Sequence, residues 1–274
     1  MIALSVVAAV ALAMPGAKPQ RIVSLNVCTD QLLLQLVDRG RIASVTDLAA
    51  DPELSIFAGR AQGLPLGRAT AEEVILLRPD LALAGEYGAR EAVEVLRRWG
   101  IPVLEFAPAE SWEDIREQLG RAGAALGEPE KARALIAQMD ASLNALESRR
   151  PARELRGILL QHDGGTLGSG TLMDEILRAA GFRNLASEWG TVGYGSISLE
   201  RLLVSQPNLV IVPAYHPNVP TLGGMYLRHP ALHGQSFGRL ELPAAEFFCG
   251  TTETVRAVRR LVEWRERAAS GARR

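Results

Sequence analysis

The chain has 274 residues, a formal net charge of −1 and 47% hydrophobic residues. This length and apolar content are sufficient for two hydrophobic cores, and therefore for two domains. A balanced charge gives no general attraction to nucleic acid or to an anionic membrane, so we expect neither of them as a partner.

The first residues form a short apolar run with the pattern of a secretory signal. Residues 2–13 are almost entirely apolar, end in Ala-Leu-Ala and are followed by Pro15 and Gly16. The run is too short to cross a bilayer as an ordinary helix, and small residues after it are typical of a cleavage site. We therefore predict a signal-like segment over residues 1–17 and export to an oxidising compartment.

Strands and helices alternate over residues 18–127, which predicts an N-terminal α/β lobe. The predicted elements are strand 21–26, a helix opened by Thr29 and Asp30 that covers 31–37, strand 42–45, a helix after Thr70, strand 81–84, helix 89–99 and strand 103–106. Such alternation is typical of a parallel sheet. A further helix is predicted from Ser111 to about Leu126.

A long amphipathic helix is predicted over residues 128–150. Its apolar residues recur at spacings of three and four: Ala132, Leu135, Ile136, Met139, Leu143 and Leu146. At 1.5 Å per residue it would span about 33 Å, enough to join two lobes rigidly. The alternative is an ordinary surface helix of one lobe. A C-terminal lobe over residues 151–274 would then begin with strand 156–161.

One segment of the first lobe is repeated in the second. Residues 70–83 (TAEEVILLRPDLAL) correspond to residues 198–211 (SLERLLVSQPNLVI), 128 positions further along the chain. Each copy has a hydroxyl N-cap, a Glu two residues later, apolar turns, a Pro that cannot continue the helix and a buried strand. The repeat is too long for a solenoid unit and predicts two similar α/β lobes with a cleft between them.

Glu72 and Glu200 occupy the second position of the two repeated helices. An acid at this position offsets the partial positive charge of the helix N-terminus, which is one explanation for both residues. Glu73 already stands at the capping-box position, three residues after Thr70, so Glu72 is surplus to that box. Contact with a partner is the other explanation, and the residues alone leave both open.

The sequence contains no nucleophile elbow, no His-Glu-x-x-His and no Cys-x-x-Cys. His162 and His216 each follow a predicted strand, where a histidine serves either as a ligand of a metal centre or as a hydrogen-bonded loop residue. The two cysteines, Cys28 and Cys249, also follow predicted strands. In an exported protein they indicate a disulfide, two separate buried thiols, or contacts with a ligand or metal.

These features together resemble those of the periplasmic solute-binding proteins that serve ABC importers of ferric siderophores, haem and cobalamin. The similar features are Arg-Ile-Val-Ser-Leu at 21–25, Glu-x6-Pro-Asp/Asn-Leu in both halves, the long helix between them and Ala-Gly-Phe-x-Asn-Leu at 180–185. The resemblance covers residues 21–267. It implies two Rossmann-like lobes with parallel sheets, joined by one backbone helix with limited hinge motion, and a ligand cleft between the lobes.

The resemblance also implies a function and partners. A monomeric protein would capture a metal chelate in the periplasm, without a resident cofactor, and deliver it to a permease dimer at the inner membrane. Glu72 and Glu200 would contact arginines of that permease. The cobalamin-binding member of this cluster has an aromatic residue six positions before each glutamate; Tyr194 retains the second, whereas Leu66 replaces the first.

The ligand site is expected at the carboxyl ends of strands in both lobes. The expected ligand-binding residues are Asn26, Cys28, Thr29, Asp47, Glu86, Tyr87 and Arg90 in the first lobe, and His162, Asp163, Tyr194, Tyr215, His216, Phe248 and Cys249 in the second. We expect Cys28 and Cys249 to approach one another across the cleft floor, either bonded or as free thiols that touch the ligand.

Two other classes of protein remain as alternatives. A binding protein for a bare metal ion would need three or four converging ligands, and His162, His216 and Asp163 are a small set. An α/β enzyme that uses a small cofactor is disfavoured by the missing catalytic motifs.

Overall fold

The computed structural model describes residues 18–214, 229–232 and 236–271. Its two lobes each surround a parallel sheet, as the alternation of elements predicts. Within the described ranges, no helix combines the length and the apolar character that crossing a bilayer requires.

The first lobe has a five-stranded parallel sheet in the order β3-β2-β1-β4-β5. Its strands are β1 (Ile22–Ser24), β2 (Ile42–Thr46), β3 (Leu66–Gly67), β4 (Leu81–Gly85) and β5 (Val103–Phe106). Its helices are α1 (Val27–Leu36), α2 (Ala58–Ala61), α3 (Ala71–Leu77), α4 (Arg90–Arg98) and α5 (Trp112–Leu126). The strand order reverses at β1, so the loops after β1 and β4 diverge and leave a crevice at the carboxyl edge.

The second lobe repeats this layout with a four-stranded parallel sheet in the order β11-β10-β6-β8. Its strands are β6 (Leu155–Leu159), β8 (Phe182–Asn184), β10 (Leu209–Ala214) and β11 (Gly238–Pro243), and β7 (Gly165–Leu167) pairs antiparallel with β9 (Tyr194–Ser196). Its helices are α7 (Leu172–Ala179), α8 (Leu185–Glu188), α9 (Leu199–Ser205) and α10 (Val255–Ala269). Strand β6 is therefore the counterpart of β1, and β10 the counterpart of β4.

Helix α6 (Pro129–Glu147) connects the two lobes. Ala132, in its first turn, belongs to the apolar core of the first lobe. Met139, Leu143 and Leu146 belong to the core of the second lobe. Because the helix buries one end in each core, it joins the lobes and is not a surface helix of one of them.

Two local predictions about helix starts are wrong. Helix α1 begins at Val27 and not after Asp30, because the Asn26 side chain caps it by accepting the N–H of Cys28 at 2.8 Å. In α3, Thr70 accepts the N–H of Glu73 as predicted. The Glu73 carboxylate does not complete the capping box, however, since it accepts the N–H of Arg68 at 2.8 Å.

Candidate functional site

The loops that follow the repeat helices, α3 and α9, make equivalent hydrogen bonds to the rest of their lobes. The Asp80 carboxylate accepts the N–H of Arg21 at 3.0 Å, and the Asn208 side chain accepts the N–H of Arg156 at 2.8 Å. The N–H of each acceptor residue in turn donates to the carbonyl of the same arginine. The Asp or Asn of the repeated motif thus fixes the start of the central strand in each lobe.

The ends of these helices are also equivalent. Helix α3 stops at Arg78, with φ 47°, and α9 stops at Gln206, with φ 45°, both in the left-handed conformation. The Arg21 guanidinium donates to the carbonyl of Leu77, and the Arg156 guanidinium donates to that of Gln206, which lies one position further along the repeat. The sequence repeat is therefore a repeat in three dimensions.

Glu72 and Glu200 are exposed in the first turns of these equivalent helices. Hydrogen bonds from the backbone N–H of Glu200 itself and from the Ser198 hydroxyl lower the pKa of Glu200 below its usual value. That carboxylate is consequently ionised at neutral pH. Each lobe thus presents one acid at the same place on its surface.

Cys28 and Cys249 form a disulfide with a Cα–Cα distance of 5.2 Å. Of the three alternatives open for the cysteines, the disulfide is confirmed. Cys28 lies in the first turn of α1, directly after β1, and Cys249 follows the turn after β11. The bond therefore connects the carboxyl edges of the two sheets. A second buried link lies nearby, where the Thr252 hydroxyl donates to the Gln35 side-chain oxygen at 2.7 Å.

A pocket of about 110 Å³ lies over this disulfide, and we call it the floor pocket. It brings together seven of the expected ligand-binding residues, namely Asn26, Cys28, Thr29, Glu86, Tyr87, Phe248 and Cys249. Complete ligand sites usually enclose about 300 Å³ or more, so the floor pocket by itself is too small to be one. Tyr87 and Phe248 are exposed at its rim and offer aromatic faces from the two lobes.

The floor pocket also contains residues that the sequence interpretation missed. Phe106 is the last residue of β5, and Ala107, Pro108 and Ala109 follow it; Gln118 projects from α5 and Gly250 follows Cys249. Strand β5 lies beside β4, so the rule that ligands bind at carboxyl ends would have included its loop as well.

Five other expected residues do not line the floor pocket: Asp47, Arg90, His162, Asp163 and Tyr194. The exposed Asp47 carboxylate accepts the N–H of its neighbour Leu48. The Arg90 guanidinium lies 5.9 Å from the centre of the Tyr87 ring, where it positions that ring by a cation–π contact. Tyr215 and His216 lie outside the described residues.

Asp163 and Tyr194 form a pair in the second lobe. The Tyr194 hydroxyl donates to one oxygen of Asp163 at 3.0 Å, and the other oxygen accepts the N–H of Gly165 at 2.9 Å. These bonds lower the pKa of Asp163, with His162 adding a smaller effect, and the carboxylate raises the pKa of Tyr194. A Cβ on Gly165 would collide with both side chains, so a larger residue there would displace the pair from its present geometry.

Behind the floor pocket, Asp30 is buried against β2. Desolvation raises its pKa to about 6, although it accepts hydrogen bonds from the hydroxyl and the N–H of Thr46. The sequence interpretation assigned Asp30 to a helix start and missed its burial against Thr46. Among the residues that the structure describes, no group of three or more His, Cys, Asp or Glu is placed to hold a metal ion.

Asn184, from the motif at 180–185, has a structural role. Its side-chain nitrogen donates to the Leu167 carbonyl and to Asp174, both at 2.9 Å, and its oxygen accepts the N–H of Ala186. Ser187 donates a further bond to Asp174. This buried polar network ties β7, α7 and α8 together.

Two parallel-sheet lobes, one connecting helix and a cleft between the carboxyl edges define a bilobal binding protein. A family model described as "Periplasmic binding protein" matches residues 22–218. The chain belongs to this family, as the resemblance implied.

The chain is also similar to individual proteins. It is 29% identical over 202 residues to a cobalamin-binding protein of Halobacterium salinarum, with 71% of this chain and 54% of that protein covered. It is 24% identical to the uncharacterised ABC transporter substrate-binding lipoprotein YvrC of Bacillus subtilis, with 71% and 63% covered. The chain thus spans about half to three fifths of the length of these relatives.

Solved structures show the same fold at low sequence identity. The periplasmic haem-binding protein HutB of Vibrio cholerae superposes with a TM-score of 0.74 at 20% identity, covering 89% of this chain and 98% of that one. The vitamin B12-binding protein BtuF of the same organism gives 0.66 at 18% identity, covering 90% and 96%. The two-lobed parallel-sheet fold expected from the sequence is therefore confirmed.

Proposed function

We propose that this protein captures a metal chelate in the periplasm and delivers it to the permease dimer of an ABC importer at the inner membrane. The observation that carries the proposal is the pair of equivalent, exposed acids, Glu72 and Glu200, on two lobes that share one cleft. Membership of the periplasmic binding protein family and the similarity to a substrate-binding lipoprotein support it. The segment 1–17 would direct export.

The proposed docking contact follows from the placement of these acids. Glu72 and Glu200 are held on lobes that α6 and the disulfide connect, so they can contact two symmetry-related positive sites at once. A two-point contact fixes orientation and strengthens binding. Arginine suits each site, because its guanidinium pairs with a carboxylate through two parallel hydrogen bonds.

The proposed ligand is bulky and partly apolar. Tyr87 and Phe248 present aromatic rings at the rim of the floor pocket. Aromatic rings bind a flat or apolar chelate with little loss of side-chain entropy. Haem and ferric siderophores fit this chemistry. Cobalamin is supported by the curated relative, whereas Leu66 in place of an aromatic residue speaks against it. Tyr194, Tyr215 and His216 are proposed as further contacts, and His216 as a ligand to iron if the chelate is haem.

A titration of the protein purified from the periplasm tests the ligand class. Haem, cyanocobalamin, a ferric catecholate and a ferric hydroxamate would be added separately, with Ni²⁺ and Zn²⁺ as bare-ion controls, and absorbance and tryptophan fluorescence followed. We expect saturable one-to-one binding of one chelate. Stoichiometric binding of a bare ion with no response to any chelate would instead support the alternative of a metal-ion binding protein.

Docking is tested separately from ligand capture. Glu72→Ala and Glu200→Ala should leave chelate affinity unchanged, because neither residue lines the floor pocket, and should reduce stimulation of the importer ATPase in reconstituted vesicles. An unchanged response in the double variant would remove the docking role.

We also propose that the ligand is bound and not chemically altered. Chelate released by denaturation should have the mass of the chelate that was loaded, as measured by mass spectrometry. A time-dependent product would support the alternative of an α/β enzyme.

A further inference from the structure

Leu76 and Val204 are exposed apolar side chains at equivalent positions of the repeat helices. Each lies four residues after the acid of its helix, and the two are 128 positions apart, as Glu72 and Glu200 are. Their side chains are 81% and 84% exposed, the highest values among the exposed large apolar residues in the described part of the chain. Residues four apart on a helix are neighbours on one face, so each acid has an apolar side chain one turn below it.

The fold does not require apolar residues at these two positions. Helix α3 buries Ala71 and Val74 against its lobe, and α9 buries Leu202. The repeat does not impose an apolar residue at a surface position either. Leu77 and Ser205, the next equivalent pair, are both partly exposed, and only Leu77 is apolar. A single exposed apolar residue needs no explanation, but a matched pair beside two matched acids does.

We infer that Leu76 and Val204 are apolar contact points for the permease dimer, each inserting into an apolar socket beside the positive group that receives Glu72 or Glu200. The inference rests on the proposed function. The occupant is a two-fold symmetric protein with a cation and an apolar socket in each copy, because each lobe presents the same acid and apolar pair. Anionic lipid is a poor fit, since the adjacent carboxylates repel it.

The two parts of each contact have different effects. The ion pair gives orientation and a fast approach, but an exposed pair contributes little affinity. An apolar side chain that becomes buried contributes affinity directly and excludes water from the adjacent ion pair, which strengthens it. Removing Leu76 or Val204 should therefore weaken docking and make the remaining contact more sensitive to salt.

The test is binding of the empty protein to the importer in lipid nanodiscs, with Leu76→Ser and Val204→Ser as variants. Burial of a Leu or Val side chain corresponds to about a tenfold change in affinity, so each variant should bind about tenfold more weakly. Leu76→Met and Val204→Ile should retain binding. Trp99→Ser is the matched control, because Trp99 is 67% exposed at the far end of α4 from Glu72.

The outcomes separate this inference from the proposed function. Wild-type affinity in both serine variants, combined with weaker binding of Glu72→Ala, would overturn the inference and leave the proposed function standing. Failure of the wild-type protein to bind the importer would overturn both. If the wild-type protein binds protein-free vesicles of the same lipid and the serine variants do not, Leu76 and Val204 contact a membrane surface, and the inference is overturned. All variants should keep wild-type chelate affinity and melting temperature.

Discussion

Removal of the disulfide should destabilise the protein strongly. Cys28 and Cys249 are 221 residues apart, so the bond closes a loop that contains most of the chain. In the chain-entropy model a loop of this length restricts the unfolded state by about 5 kcal/mol at 25 °C. Residual structure in the unfolded chain reduces the measured value, and we expect Cys28→Ala/Cys249→Ala to lose about 3–5 kcal/mol.

The measurement is urea unfolding followed by circular dichroism, with and without reductant. The oxidised wild type should show a higher midpoint and a smaller dependence on urea than the double variant, because a cross-linked unfolded chain exposes less surface. Reductant should move the wild type to the behaviour of the double variant and leave the double variant unchanged.

Two results would refute this reasoning. A loss smaller than about 1 kcal/mol would mean that the cross-link does not act through the unfolded chain. If reductant changes the unfolding of the double variant, then reductant acts on something other than the Cys28–Cys249 disulfide.

Three further predictions concern the interior and the floor pocket. The pKa of Asp30 is raised from 3.8 to about 6 on folding, so Asp30 stabilises the fold fully below pH 3.8 and this contribution is lost as the pH rises through 6. In urea unfolding, the free energy of unfolding of Asp30→Asn relative to that of the wild type should rise by up to about 3 kcal/mol between pH 4 and 7. A difference that does not change with pH would contradict the raised pKa of Asp30. Asn184→Ala removes one of the two side-chain donors to the buried Asp174, the other being Ser187, and also removes the bond to the Leu167 carbonyl; it should cost about 2–4 kcal/mol in urea unfolding, and a loss below 1 kcal/mol would count against the network. Tyr87→Ala and Phe248→Ala should each weaken chelate binding by at least about 1 kcal/mol in titrations, and wild-type affinity in both would place the ligand elsewhere.

The repeat was sufficient to predict the architecture from the sequence. Its copies contain complete local signals, namely a hydroxyl cap, an apolar turn and a helix-ending Pro, and the structure shows Thr70 and Ser198 as caps of equivalent helices. The apolar spacing along residues 132–146 likewise predicted α6. Signals of this kind depend on neighbours in sequence, which is why they can be read without the structure.

Features that depend on distant residues could not be predicted in the same way. The start of α1 was misplaced because Asn26, Thr29 and Asp30 are all good N-caps, and only burial shows that Asp30 instead contacts Thr46. The pairing of Tyr194 with Asp163 joins residues 31 apart through a glycine that allows close approach. The disulfide remained one of three alternatives, since a separation of 221 residues gives no geometric information.

Because α6 is buried in both cores, its length also sets the rotation and the separation of one lobe relative to the other. One residue inserted between Ile136 and Met139 would rotate the second lobe relative to the first by about 100° and displace it by about 1.5 Å. Seven inserted residues would almost restore the rotation, but would separate the lobes by about a further 10 Å. Since the disulfide opposes either change, the length of one helix determines the span between Glu72 and Glu200, and with it the spacing of the two surfaces that can receive them.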